Sequence, residues 1–211
     1  MTKKTYLINI TQVTNIDKKT NKSSSREAVL DAAEKLFTIR GYKTVKLKHI
    51  ADDLGIKQAS IYYHFPLGKE DLYIEVMLRH LEHRRIAFEK LISKSKPTLE
   101  DCLFNVGIWL IKQPPLNGAK IIINDLPELS SDKANQLEEA IYSGSFAPIE
   151  SLFTQYKHQL KEQFQSNPGF VAGSFLCSIE SLYAVKHYGN KTDKELVIDL
   201  IELILRGGCS D

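Results

Sequence analysis

The sequence predicts an all-α fold, a small three-helix N-terminal unit followed by a larger helical bundle. Three observations predict it. Apolar residues recur at helical spacing in segment after segment, no alternating stretch of strand character competes with them, and caps, glycines and prolines punctuate the segments where helices start and stop. The first helix is expected from Ser24, where Ser24-x-x-Glu27 has the form of a capping box, through Val29, Leu30, Ala33, Leu36 and Phe37 to a close at Gly41. A second helix of two turns follows over Leu47–Leu54. Gly55-Ile56 makes a sharp turn, and Lys57–Phe65 forms a third helix rich in polar and aromatic side chains. Two short helices about a tight glycine turn describe a helix-turn-helix, a form that reads duplex DNA.

Beyond Lys69 the chain is helical almost to its end. A long helix runs to about Lys94 and is broken at Pro97. Leu99–Lys112 is apolar on every side and must be buried all round. Pro114-Pro115 stops it, and Asn117-Gly118 turns the chain into Ala119–Leu126. Asp132–Tyr142 is amphipathic, and Gly144 and Pro148 interrupt the pattern. Ile149, Phe153, Tyr156, Leu160 and Phe164 then recur at heptad-like spacing. Asn167-Pro168-Gly169 is a turn, and two last helices follow, about Phe170–Tyr188 and Asp193–Arg206. The predicted organisation is a basic N-terminal extension over residues 1–22, a helix-turn-helix unit over 23–68, and a helical effector-binding and dimerisation domain over 69–211. Within the extension Tyr6–Ile10 suits a short strand and Lys18–Lys22 a flexible basic linker. The segment reads as a loose extension, with a minor-groove arm as the sharper alternative.

Phe37, Gly41-Tyr42, Ile50-Ala51, Leu54-Gly55-Ile56 and Ile61-Tyr62-Tyr63-His64-Phe65 resemble, in order and nearly in spacing, the N-terminal domain of tetracycline-repressor-like (TetR) transcription regulators. The resemblance covers roughly residues 24–75. It departs from the usual pattern in two places. Lys46 stands where a Ser or Thr cap is usual, leaving Thr44 as a substitute cap or phosphate contact, and the link through Pro66-Leu67-Gly68 to Lys69 is one residue longer. The resemblance implies a homodimer formed by the last two helices and a C-terminal domain that binds a small molecule lowering DNA affinity.

Composition agrees with a soluble globular chain. Of 211 residues 43% are hydrophobic and 26% charged. No uninterrupted apolar stretch is long enough to suggest a membrane span, and no leader pattern precedes the first helix. The expected compartment is therefore the cytoplasm, with no membrane partner. Cys102, Cys177 and Cys209 are dispersed and form no CxxC pair, so neither a zinc knuckle nor a disulfide framework is expected. The net charge is only +2, but residues 1–64 hold 12 Lys/Arg against 6 Asp/Glu. Cations gathered around the helix-turn-helix supply the phosphate-neutralising part of DNA binding.

Candidate DNA contacts follow from the helix-turn-helix register. Lys57, Gln58, Ala59 and Ser60 occupy the first turn of the recognition helix, the part that faces base edges. Gln58 suits a bidentate bond to adenine, Lys57 a guanine edge or a phosphate, and Ala59 a thymine methyl. Tyr62, Tyr63 and His64 suit phosphate oxygens, unless one tyrosine packs inward. Thr44, Lys46, Lys48 and Lys69 complete the set.

The large side chains Phe104, Ile108, Trp109, Tyr142, Phe146, Phe153, Tyr156, Phe175 and Tyr183 are either core or the lining of an apolar effector pocket, which the resemblance favours. The last helix is apolar over most of its circumference, so Leu176, Ile179, Tyr183, Leu196, Leu200, Leu203 and Ile204 are expected at a two-fold interface. His80-x-x-His83 has acceptable ligand geometry but no local third ligand, so no metal is expected, and no cofactor either. No GxSxG, GxGxxG, P-loop or HExxH occurs, which argues against an enzyme. The predicted function is a ligand-responsive repressor, released by an effector from a palindromic double-stranded DNA operator. The alternative is a helical ligand-binding or protein-interaction module with a vestigial DNA-binding head.

Overall fold

The structure is a computed structural model that describes the backbone of residues 10–208 and the side chains of residues 25–207. The described residues are helical and turn-forming throughout, with no strand, so the chain is all-α as predicted. One compact unit extends to Val76 and the other begins at Met77. The start of α4 therefore goes with the head, not with the body to which residues 69–76 were assigned from sequence.

The head is built from α1 (Ile10–Arg40), α2 (Leu47–Leu54), α3 (Gln58–His64) and the first turns of α4 (Lys69–Lys94). The helix does not begin at the expected capping box but upstream, and Ser24 lies inside it. No glycine or proline stands between Ile10 and Arg40, and a serine within a helix costs only a few tenths of a kcal/mol, roughly 0.5. A cap signal alone cannot stop a helix that the residues before it continue. The expected linker Lys18–Lys22 is likewise helical, and the proposed strand over residues 6–10 falls outside the described residues except for Ile10, which is helical. The side chains of a minor-groove arm also lie outside the described residues.

Val29, Leu30, Ala33 and Phe37 of α1 meet Ile50 and Ala51 of α2 and Ile61 of α3 in one core, all buried. Gly55 ends α2 at φ 65°, its N–H directed to the carbonyls of Ala51 and Asp52, a conformation glycine adopts without strain. An aromatic cluster closes the head. Tyr73 meets Phe37 edge-on at 4.9 Å and Tyr42 at 4.7 Å between ring centroids.

The body comprises the rest of α4, then α5 (Leu99–Leu110), the one-turn α6 (Gly118–Lys120), α7 (Ser131–Ile141), α8 (Ala147–Gln155), the short α9 (Glu162–Gln165), α10 (Pro168–Val185) and α11 (Asp193–Gly208). Thr98 caps α5, its side chain accepting from the Asp101 N–H. Thr192 and Glu195 form a reciprocal capping box on α11, with the Thr192 N–H 2.7 Å from Glu195 Oε2. That hydrogen bond, joined by one from the Thr192 hydroxyl, holds the Glu195 carboxyl below its usual range.

The π-helical turn Tyr142–Phe146 carries the chain where sequence punctuation suggested a break, and a second, Ile121–Asp125, lies within the expected segment Ala119–Leu126. Gly144 and Pro148 interrupt the apolar pattern but not the helix. Pro148 has no N–H to return along the helix, and the wider π turn absorbs that loss. Gly144 is required there by proximity, since a Cβ would lie 2.8 Å from the Leu81 carbonyl oxygen of α4. The heptad-like run from Ile149 to Phe164 does not form one helix. It breaks after Gln155, passes through a 3-10 turn at Lys157–Gln159 and resumes as α9.

Helix α5 is less completely enclosed than its composition suggested. Leu99, Leu103 and Val106 are buried, while Phe104, Ile108 and Trp109 are only half-buried at the edge of the core. By length and composition α10 could cross a membrane, against the expectation that no segment would. Its Val171, Ala172, Phe175, Leu176 and Ile179 are buried within the helical core, 28% of the segment.

Candidate nucleic-acid interface

Helix α3 is held from behind and open in front. Ile61 (0% exposed) and Phe65 (1%) anchor it to the core, while Lys57, Gln58, Ala59 and Ser60 are all exposed in its first turn. The sequence could not say which tyrosine turned inward. Neither does, for Tyr62 is 46% and Tyr63 66% exposed. Tyr62 rests beside Gly68, whose φ of 88° lets the chain turn tightly after α3. His64 is partly buried, its Nε2 3.3 Å from Ser25 Oγ on α1, so it braces α3 against α1.

Around this helix stand Thr44, Lys46 and Lys48, all exposed. Thr44 does not replace the missing cap of α2. The Lys46 N–H instead donates to Nδ1 of His49, 3.2 Å away, which is half of a capping box. A lysine has no acceptor to complete the other half. His49 is the functional residue that sequence reasoning missed, and its position three residues after Lys46 was the available signal.

Lys69, predicted as a phosphate contact, is engaged within the head. Its ammonium donates to the Tyr42 carbonyl at 2.9 Å and stands 3.9 Å from the Tyr42 ring centroid. It ties the start of α4 to the loop between α1 and α2. Arg26 of α1, which the sequence did not single out, pairs with Glu75 and covers the Phe65 ring at 4.9 Å.

In the body the nine large side chains do not converge on one cavity. Phe153 and Phe175 are fully buried in the core, whereas Tyr142 (54% exposed) and Tyr183 (41%) stand at the surface. Tyr142 donates to Glu150 Oε2, which raises its own pKa. Ile108, Phe146 and Tyr156 flank the core, and Trp109 meets Phe88 edge-on at 5.7 Å. Phe104 alone of the nine lines an open groove of about 450 Å³ between α5 and α11, floored also by Ile198, Ile201 and Leu205 and rimmed by Glu100, Asp101, Glu202 and Arg206.

The expected interface set divides in the same way. Leu176, Ile179 and Leu200 are core residues, at 4%, 0% and 8% exposure, and cannot also face a partner. Leu196 and Ile204 are half-buried, and Leu203 and Tyr183 are exposed. Helical periodicity marks an apolar face without telling whether its own domain or another chain covers it. Among the described residues no group of three or more His, Cys, Asp or Glu side chains gathers as metal ligands, and His80 and His83 stand without such a group.

The family model described as bacterial regulatory proteins, tetR family, matches residues 29–76. The chain thus matches the tetR family over its head. Its matched segment covers α1 from Val29 through α2 and α3 to the head's part of α4. Among curated members, the HTH-type transcriptional regulator LmrA of Bacillus subtilis is 44% identical over 61 residues, 29% of this chain and 32% of LmrA. The HTH-type transcriptional repressor KstR2 of Mycolicibacterium smegmatis is 26% identical over 146 residues, 60% of this chain and 69% of that protein. The chain thus spans about a third of the length of LmrA. The solved structure of the ketosteroid transcriptional regulator KstR2 of Mycobacterium tuberculosis superposes with a TM-score of 0.65 at 16% identity, covering 89% of this chain and 96% of that one. At that identity the likeness shows a shared fold alone and says nothing of a ligand.

Proposed function

We propose that this chain is a tetR-family sequence-specific DNA-binding regulator, a homodimer that represses from a two-fold operator and is released by a small molecule bound in its body. The observation that carries the reading is the presentation of α3. A recognition helix has to be rigid against its own core and open along its first turn, and here Ile61 and Phe65 are buried while Lys57, Gln58, Ala59 and Ser60 are exposed together. Lys46 and Lys48 beside it are exposed cations suited to phosphate. LmrA and KstR2, by name, are transcriptional regulators of the same head type, which supports the same reading.

Dimerisation has its own support in α10. Phe170, Ser174, Cys177, Ser181 and Ala184 recur at helical spacing and form an uncharged stripe of small and apolar residues on the side of α10 turned away from Val171, Phe175 and Ile179. Leu203 of α11, 71% exposed, adds to the surface that a second copy would cover. Two recognition helices would then enter successive major grooves about 34–36 Å apart.

Selection of bound sequences from random duplex DNA tests the reading. A palindromic consensus is expected, with log affinity falling steeply against log salt. Recovery of no consensus, or a half-site alone, would reject the two-fold operator.

A further inference from the structure

We propose that the guanidinium of Arg84 is the polar anchor for an uncharged, mainly apolar effector bearing a carbonyl oxygen, a ketone, ester or amide. This rests on the effector reading above and gives it a ligand class. Arg84, on α4, is 3% exposed, one of few charged side chains so enclosed among the described residues. Its Nη2 donates to Oε1 of Glu180 on α10 at 2.7 Å, and its Nε–H is buried with no acceptor. A buried donor left unpaired is unfavourable, and an incoming acceptor satisfies it.

Glu180 does not supply that acceptor in this arrangement. Its second oxygen receives the backbone N–H of Asn117, 3.3 Å away, and Asn117 is held at φ 52° at the start of α6. The carboxylate thus ties α4, α10 and the loop after α5 together, with both oxygens engaged.

Charge then selects the ligand class. Arg84 and Glu180 neutralise each other. A second carboxylate would leave one buried anion unpaired, and an ammonium would leave an unpaired cation. A carbonyl oxygen adds a hydrogen bond and no charge. Ser145 offers a second donor of the same kind, 2% exposed with its Oγ unpartnered. Its neighbour Gly144 packs on the Leu81 carbonyl, and Leu81 lies one turn before Arg84 on the same face of α4. The surroundings of the anchor are apolar, for the guanidinium lies 5.3 Å from the Phe88 ring centroid and Phe88 contacts Trp109. Trp109, the single tryptophan, is therefore a built-in reporter.

The test uses the full chain without DNA and two matched probe series: 2-octanone, octanoate and octylamine, and cyclohexyl methyl ketone, cyclohexanecarboxylate and cyclohexylmethylamine. Trp109 emission and the melting temperature are read against probe concentration. In the wild type a ketone is expected to bind at least tenfold more tightly than its carboxylate and amine counterparts. Arg84→Met should lose at least tenfold in ketone affinity. Glu180→Gln, which leaves the arginine charge uncompensated, should reverse the order and prefer the carboxylate. Wild-type preference for either charged probe, no response to any ketone, or equal ketone binding by Arg84→Met overturns the assignment; the last two are the results expected if ordered water alone occupies the site. The wild-type ranking decides even if a variant fails to fold. Duplex binding by the unliganded protein is measured separately, so loss of the ketone site and loss of the regulator reading are distinct results.

Discussion

Gln58 is exposed in the first turn of α3, and Ile61, three residues on, is buried. Gln58→Ala is expected to relax preference at one base pair at a cost of about 1–3 kcal/mol. Competition between operator variants measures it, and unchanged preference would show that Gln58 does not touch a base edge. Lys69→Ala has a different expected signature from a phosphate contact. Its ammonium is engaged by the Tyr42 carbonyl and ring, so its loss should lower the melting temperature of the head and leave the salt slope of DNA binding unaltered. A slope reduced by about one, with unchanged stability, would return Lys69 to the phosphate-contacting set. The type and order of residues on α3 were legible in the sequence, but the exposure of Gln58 was not, since it stands three residues before buried Ile61 and periodicity alone puts the two on one face. The engagement of Lys69 was not either, since it depends on a carbonyl 27 residues earlier that only the folded chain brings near.

The helices themselves were legible to different degrees, according to how local their signals are. Leu47–Leu54 and Lys69–Lys94 form at the predicted bounds because glycine and helix-start signals act within a turn of the residues they govern. The start of α1 and the passage from α7 to α8 were misread for one reason. A cap or a proline states a local preference, and neighbouring turns override it when they supply the missing bonds. Gly144 makes the point measurable. Gly144→Ala improves local helix propensity, yet its Cβ would stand 2.8 Å from the Leu81 carbonyl, so a net loss of about 1–3 kcal/mol is expected by chemical denaturation. A neutral or stabilising result would show that α4 and the π turn separate freely. The cap of α11 carries a pH dependence. Glu195 has a folded pKa below its unfolded value, so its stabilisation is present above the unfolded pKa and is lost as pH falls through the folded one. Amide exchange near Thr192 should quicken over that acidic window in the wild type and show no such step in Glu195→Gln.

Assembly is the scale at which sequence periodicity says least, because a core face and a partner face are both apolar. The expected interface combined the two, placing buried Leu176, Ile179 and Leu200 beside exposed Leu203 and Tyr183. The structure separates them, and the separation changes the useful experiment. Leu200→Glu would place an unpaired charge in the core and unfold the body whether or not the chain dimerises. Cys177→Glu places its charge on the exposed side of α10, between Ser174 and Ser181, where a single subunit has no need to desolvate it. If that stripe packs against its own copy about a two-fold axis, each dimer would bury two facing carboxylates with no cation beside them. Cys177→Glu should then sediment as a folded monomer with the wild-type helical circular dichroism. Its operator affinity should fall sharply, because two half-sites held by one body bind at an effective concentration that separate subunits lack. A Cys177→Ser control should remain dimeric. A Cys177→Glu chain that stays dimeric at low micromolar concentration would move the interface off this face of α10 and leave the exposed flank of α11 around Leu203 as the surface to vary next.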